Sequence, residues 1–353
     1  MSKKKSMTIV TALFASSIML AGCGLFGNEQ EIDPPQKETI VDDSSALENE
    51  SNGETTNSSE ETAANAVTTE LYLIDKNGYV VPQSISLPSS EGVAKQAMEH
   101  LVEGGPVSNV LPNGFRAVLP ADTQVDVNIK DGVATVDFSP EFANYQAEDE
   151  MRILQAITWT LTQFDSVESV KIQMNGYDLQ EMPVNKTPIT KQLTRAGGIN
   201  LDTADINDIT NTVPLTVYYI GGEENSYYYV PVTKRVSSNQ ENIAEAVIEE
   251  LAKGPASNSH LLTEFMPDLA LLDEPVMKDG NVSVNFNENI YGSFEEEIVS
   301  QRLIDALVLS LTEQADIESV EVLVNGEASL KLEDGKDLSE PVNRPEKVNS
   351  SSL

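Results

Sequence analysis

Val167–Gly176, VESVKIQMNG, returns as Ile317–Gly326, IESVEVLVNG. Arg152 and Arg302, each opening an apolar segment, stand at that same separation. KDGVATVDF (Lys130–Phe138) matches KDGNVSVNF (Lys278–Phe286), EGGP (Glu103–Pro106) matches KGP (Lys253–Pro255), and PVN occurs at Pro183–Asn185 and Pro341–Asn343. One unit has been used twice, and the fold follows from reading that unit.

In the first copy, Leu71–Ile74 and Val80–Ile85 read as short strands around the turn dipeptide Asn77-Gly78. Val93, Ala94, Ala97, Met98, Leu101 and Val102 recur at helical spacing, and Gly104-Gly105-Pro106 stops that helix. Val125, Val127 and Ile129 alternate with polar residues, Asp131-Gly132 turns the chain, and Ala134, Val136 and Phe138 alternate again. Ile153, Leu154, Ile157, Leu161 and Phe164 form the stripe of a second helix. Val170, Ile172 and Met174 form the last strand. The second copy repeats this order through Val217–Ile220, Tyr227–Val232, the helix of Ile243, Val247, Leu251 and Ala252, the strand of Val282, Val284 and Phe286, the helix of Leu303, Ile304, Leu307 and Leu311, and the strand of Val320, Val322 and Val324. The expected fold class is α+β: two tandem homologous two-layer α/β sandwich domains, each ββαββαβ. The domains span 68–185 and 215–343.

Between them, 186–214 lacks strong periodicity and contains Lys186, Lys191, Arg195 and Gly197-Gly198. A loose linker and an arm packed on both domains are both open readings, the length favouring the second. Residues 344–353 are Ser/Asn-rich and are expected to be a disordered tail.

A chain of 353 residues exceeds one ordinary core. Its 57 acidic and 22 basic side chains give a formal net charge of −35. That field repels phosphates, which argues against nucleic acid or an anionic bilayer as a partner of a basic surface. The single cysteine leaves no intramolecular disulfide to form.

Lys3, Lys4 and Lys5 precede the apolar run Met7–Leu20, too short to span a bilayer, so 1–22 reads as an export signal. Leu20-Ala21-Gly22-Cys23 resembles the lipobox of bacterial lipoproteins. The resemblance implies cleavage before Cys23, a diacylglyceryl thioether on its sulfur and an acylated amino group. Residues 23–67, rich in Ser, Thr, Asn, Glu and Asp, are expected to form a disordered acidic tether. A flexible coil of about 44 residues reaches roughly 35–40 Å, so the folded part works away from the lipid surface.

The chemistry-bearing residues are few. His100 and His260 do not correspond in the two copies and lack ligand-spaced partners, so both read as structural. No nucleophile elbow, phosphate loop, dinucleotide fingerprint or HExxH motif is present. Asp202, Asp205 and Asp208 lack the Gly and terminal Glu of a calcium loop and read as a solvated turn. No catalytic residue, metal site or cofactor is expected. In Tyr227-Tyr228-Tyr229, strand alternation puts Tyr228 in the core with Tyr227 and Tyr229 outside, or the reverse. Tyr227 and Tyr229 are therefore interface candidates beside core packing. Trp159 reads as a core-edge residue. Arg152 and Arg302 read as equivalent ion pairs, with an interface role as the sharper alternative.

The KDG hairpin, the Arg-led second helix, the ESV strand ending in Asn-Gly and the GP helix stop together resemble the sporulation and spore-germination domain GerMN. The first-helix, hairpin, second-helix, last-strand core is also similar to the ring-building motif of secretion-system ring proteins. These resemblances imply a non-enzymatic, lipid-anchored scaffold of an envelope-spanning complex between mother cell and forespore, needed for sporulation and germination. Its implied partners are membrane-anchored sporulation envelope proteins, met through helix and sheet edges in an oligomer or beside a ring. The competing expectation is a lipoprotein that captures a solute or cell-wall fragment between its domains. A wall hydrolase using two carboxylates ranks last.

Overall fold

The computed structural model describes residues 66–90, 92–204, 210–293 and 297–350. The export signal, Cys23 and nearly all of the tether lie outside them. The first unit runs β1 (Ala66–Asp75), β2 (Val80–Pro88), α1 (Val93–His100), β3 (Phe115–Arg116), β4 (Val125–Lys130), β5 (Val133–Phe138), α2 (Glu150–Leu161), β6 (Ser169–Met174) and β7 (Tyr177–Asp178). The second runs β8 (Thr212–Glu223), β9 (Ser226–Ser237), α3 (Ile243–Lys253), β10 (Val276–Lys278), β11 (Asn281–Phe286), β12 (Tyr291–Ser293), β13 (Ile298–Val299), α4 (Gln301–Thr312), β14 (Ser319–Val324), β15 (Leu330–Leu332), β16 (Asp337–Leu338) and β17 (Val342–Asn343). The ββαββαβ order expected from the repeat is present in both units, with short strands added.

Turn chemistry fixes the register. Asp131-Gly132 and Asp279-Gly280 join β4 to β5 and β10 to β11 with positive φ at both turn residues. That geometry matches the right-handed twist of a tight hairpin, and Asp-Gly tolerates it. β5 then pairs parallel with β6, and β11 with β14, α2 and α4 serving as the crossovers. Inward residues alternate strictly: Ala134, Val136 and Phe138 in β5, Val282, Val284 and Phe286 in β11. The two corresponding four-stranded sheets (β4-β5-β6-β7 and β10-β11-β14-β17) thus bury one face each, and a third, β12-β13-β15-β16, belongs to the second unit alone.

The strands of a unit do not share one sheet. The β1–β2 and β8–β9 hairpins stand apart from the four-stranded sheets, and the helices bind both: α2 packs on β1 and β6, α4 on β8 and β14. Hydroxyl groups complete the edge of each hairpin, Thr160 Oγ1 accepting from Tyr72 N at 3.2 Å and Ser310 Oγ from Tyr218 N at 2.8 Å. Such contacts satisfy backbone groups that an unpaired strand edge leaves open.

Because α2 is covered on every side, Ile153 through Leu161 are all buried, not one stripe of them. Trp159, expected at the core edge, is fully buried at the centre. The hairpins show the same effect. Leu71–Asp75 and Leu215–Gly221 are unbroken buried runs, as happens when both faces of a strand are covered.

Candidate functional site

The chain between the units is an arm, and the chain after the second unit is its counterpart. Leu193 exchanges both backbone hydrogen bonds with Val170 at 2.8 Å, occupying the place on β6 that Val342 of β17 takes on β14. From there Leu193–Asn200, LTRAGGIN, and Val342–Asn349, VNRPEKVN, follow the same course. The expectation of a disordered tail is corrected: residues 344–350 are seated, with Val348 2% exposed. Pairing Pro183–Asn185 with Pro341–Asn343 is corrected too. Glu150 Oε1 accepts from Val184 N and Asn185 N and its Oε2 from Thr187 N, holding the first PVN as a loop, whereas the second forms β17.

Each arm crosses to the other unit. Ile199 N donates to Thr233 Oγ1 at 2.9 Å and Thr233 N donates to Ile199 O at 2.8 Å. Reciprocally, Val348 N donates to Ser84 Oγ at 2.7 Å and Ser84 N to Val348 O at 3.0 Å. Asn200, at φ 45°, accepts from Val80 N and donates to Val80 O and Pro231 O. Asn349, at φ 56°, accepts from Tyr229 N and donates to Tyr229 O and Pro82 O. Asparagine suits both places because its short amide tolerates positive φ and offers donor and acceptor together. Contacts that recur with the two units exchanged define a pseudo-twofold, isologous junction.

Two arginines close it. Arg195 lies 4.4 Å over the Trp159 ring, donates from Nε to Thr162 Oγ1 at 3.1 Å and from Nη1 to Glu313 Oε1 at 2.6 Å. Arg344 donates to Leu309 O, Thr312 Oγ1 and the Tyr218 hydroxyl, with Nη2 3.3 Å from Glu313 Oε2. Tyr218 OH donates to the same carboxylate at 2.9 Å. Glu313, its side chain 7% exposed, breaks the pseudo-symmetry, since both arginines converge on it. The residue 150 positions earlier, Gln163, accepts from the Glu70 N–H and donates to its carbonyl, and in the second unit Gln314, next to Glu313, donates to the Thr216 carbonyl. Burial works against the Arg195 charge, but the carboxylate and the phenols of Tyr72 and Tyr218 hold its guanidinium above its ordinary range. Burial, reinforced by Glu313, pushes the Tyr218 phenol up.

The tyrosine run alternates in direction but not in exposure: the Tyr227 and Tyr229 rings meet edge-on, 5.8 Å apart, while Tyr228 packs into a different cluster. Tyr228 and Tyr229 are 9% and 7% exposed and only Tyr227, at 38%, reaches solvent. β9 is covered on both faces, so of the two tyrosines that share a side only Tyr227 is exposed, and Tyr229 is buried against Tyr218, Ile220, Ala306 and Leu309. Tyr229 OH donates to Asp305 Oδ2 at 3.0 Å, while Tyr228 OH crosses the junction to Asp75 Oδ2 at 2.7 Å and its ring meets Phe115 edge-on. Burial raises the Asp305 carboxyl above its usual range despite bonds from Gln301 and Tyr229.

Arg152 and Arg302 each hold an ion pair, but the partners are not equivalent. Arg152 pairs with Asp149, one residue before α2, and donates from Nε to Gly78 O. Arg302 pairs with Glu264 of a loop and lies 4.8 Å over the Tyr227 ring. What they share is the target, the tip of their own unit's hairpin. Asp149 is pushed up by burial, yet hydrogen bonds from Arg116 and Arg152 outweigh this and hold it below its usual range. For Glu150, bonds from Thr187, Asn185 and Tyr145 likewise outweigh burial.

His100 Nδ1 lies 2.8 Å from Gln96 O within α1, and His260 is exposed. Asp205 and Asp208 lie outside the described residues; Asp202 faces Lys234 at 3.8 Å. Among the described residues, no group of three His, Cys, Asp or Glu side chains is placed to hold a metal, and no helix is long and apolar enough to cross a membrane. An open depression beside the arm is lined by Tyr79, Asn200, Leu201, Asp202 and Leu261. Its Asn200 is engaged by the clasp and its Asp202 by Lys234 and the Ala204 N–H.

Residues 70–180 and 216–329 match the family model described as Germane: Sporulation and spore germination. The chain is 51% identical to the spore germination protein GerM of Bacillus subtilis (strain 168), with 100% of each chain covered. The solved structure of the tandem GerMN domains of the sporulation protein GerM from Bacillus subtilis is 55% identical, with a TM-score of 0.76. The match covers 81% of this chain and 100% of that one.

Proposed function

The chain belongs to the Germane family of sporulation and spore-germination proteins, and from that premise we propose that it is a non-catalytic, lipid-anchored scaffold. Cys23 tethers it to a membrane on the extracytoplasmic side, in the space between mother cell and forespore. Its partners there are membrane-anchored sporulation envelope proteins.

The observation that carries this reading is the reciprocal clasp. The buried charges and tyrosines of the junction bind one unit to the other, producing a stiff body with two similar heads at a set angle. Assembly surfaces then lie at the outer edges. β10 is an edge strand, and its Val276 and Met277 are 62% and 44% exposed, with Leu272 also exposed on the preceding loop. Open strand edges with apolar side chains pair with further strands.

Crosslinking and affinity purification from sporulating cells test the reading. The unmodified chain is expected to recover envelope proteins, and a Val276→Lys/Met277→Lys chain that melts normally is expected to lose at least one. Recovery of the unmodified chain alone refutes the scaffold.

A further inference from the structure

We propose that the fold carries a peptide socket, filled here by the chain's own Arg344–Asn349 strap and competent to take the same segment of a second copy. Three subsites define it. The first is anionic: Glu313 with the Leu309 carbonyl and Thr312 hydroxyl, which receive Arg344. The second is an apolar well of Tyr218, Ile220, Tyr229, Ala306 and Leu309 around Val348. The third is the gap between β2 and β9, where Asn349 bonds Tyr229 N, Tyr229 O and Pro82 O.

The molecule contains its own replicate of this recognition. Arg195, Ile199 and Asn200 make the corresponding contacts with Thr162, Thr233, Val80 and Pro231, although Ala196-Gly197-Gly198 replaces Pro345-Glu346-Lys347 between the anchors. Only the anchors are common to the two, so the socket reads the pattern Arg-x-x-x-(Val or Ile)-Asn and tolerates what lies between. Glu346 and Lys347 are exposed, as expected for a strap held at separate points and not woven into a sheet. A second copy presents the identical anchors, making its own 343–350 segment the ligand of best fit.

The test uses the full chain and a fluorescent peptide of residues 343–350. In the unmodified chain the tethered strap competes at an effective concentration on the order of millimolar, so the peptide binds poorly. An Arg344→Ala/Asn349→Ala chain is expected to bind the peptide at least ~10-fold more tightly, and a peptide with both anchors replaced by alanine to lose at least that factor. A folded variant that binds no better than the unmodified chain, or binds both peptides alike, overturns the proposal. Should the variant fail to melt cooperatively, hydrogen exchange on the unmodified chain decides. Exchange of the Val348 amide at least ~10-fold faster than that of Ile199 supports a releasable strap, and equal protection of the two overturns it.

Discussion

Replacing Glu313 by alanine removes the carboxylate shared by Arg195, Arg344 and Tyr218. Two partly buried guanidiniums then lose the carboxylate they touch, with Glu70 remaining as a more distant negative charge beside Arg344. Removing one partner of a buried ion pair costs ~3–5 kcal/mol, because the remaining charge stays desolvated. Here the arginine side chains keep 31% and 26% of their surface in solvent, which moves the expected loss to about 3 kcal/mol, the lower end of that range. Against a total of ~5–15 kcal/mol for a folded domain, that is a large fraction. Glu313→Gln is expected to cost less, about 1.5–2 kcal/mol, since its amide oxygen keeps the hydrogen bonds of one of the two carboxylate oxygens while its NH2 faces donors at the other. Urea unfolding followed by fluorescence measures both. Trp159 is the sole tryptophan of the sequence and lies directly beneath Arg195, so it reports on this junction. Lys76→Ala, which breaks the exposed bridge to Glu223, is the control and is expected to leave the midpoint unchanged. A Glu313→Ala chain that unfolds within ~0.5 kcal/mol of the unmodified protein refutes the claim that this network holds the units together.

Asn200→Ala and Asn349→Ala are expected to destabilise by similar amounts, about 2 kcal/mol each, since each deletes three hydrogen bonds to strand backbone. Thermal melts that find Asn349 dispensable and Asn200 costly mean that the second arm is not seated in solution. Asp149 and Glu150 titrate below their ordinary values of 3.8 and 4.5, so their contribution is fully present above about pH 4.5 and disappears as acid carries the pH down through the lowered values. Asp149→Asn is therefore expected to be destabilising at pH 7 and neutral in strong acid; a deficit independent of pH contradicts the assignment. Cys23→Ala is expected to release the exported chain from membranes, and its persistence in a salt-washed membrane fraction removes the anchor from the proposal.

The sequence made the strand and helix order legible because period-two and helical stripes, Asp-Gly and Asn-Gly turns, and the duplication all agreed. The clasp was hidden for physical reasons. An arm held by Arg195, Ile199 and Asn200 has no periodicity, since its anchors bind a charge, a well and a backbone gap in succession. Its twin, Arg344–Asn349, reads as polar tail because the residues between the anchors are solvent-facing. The identical triplets at Pro183 and Pro341 drew the comparison into the wrong register, away from Leu193 and Val342. Exposure in Tyr227–Tyr229 could not be read from alternation for a different reason: the side chains do alternate, but a strand enclosed on both sides buries residues of either face. Glu313 could have been noticed as a buried acid only by knowing that two distant arginines converge on it.

The strap also bears on how the protein is made. Ser84 and Pro82 of the first unit wait for Val348 and Asn349, separated from them in sequence by 264 and 267 positions. Contacts of such span form late, because the closure entropy of the whole intervening chain must be met first. During synthesis, which proceeds from the N-terminus, the first hairpin therefore stays unsealed until Val348 and Asn349 have emerged. A product broken off anywhere before Val348 leaves the Ser84 N–H and hydroxyl and the Pro82 carbonyl without the partners that the finished molecule supplies.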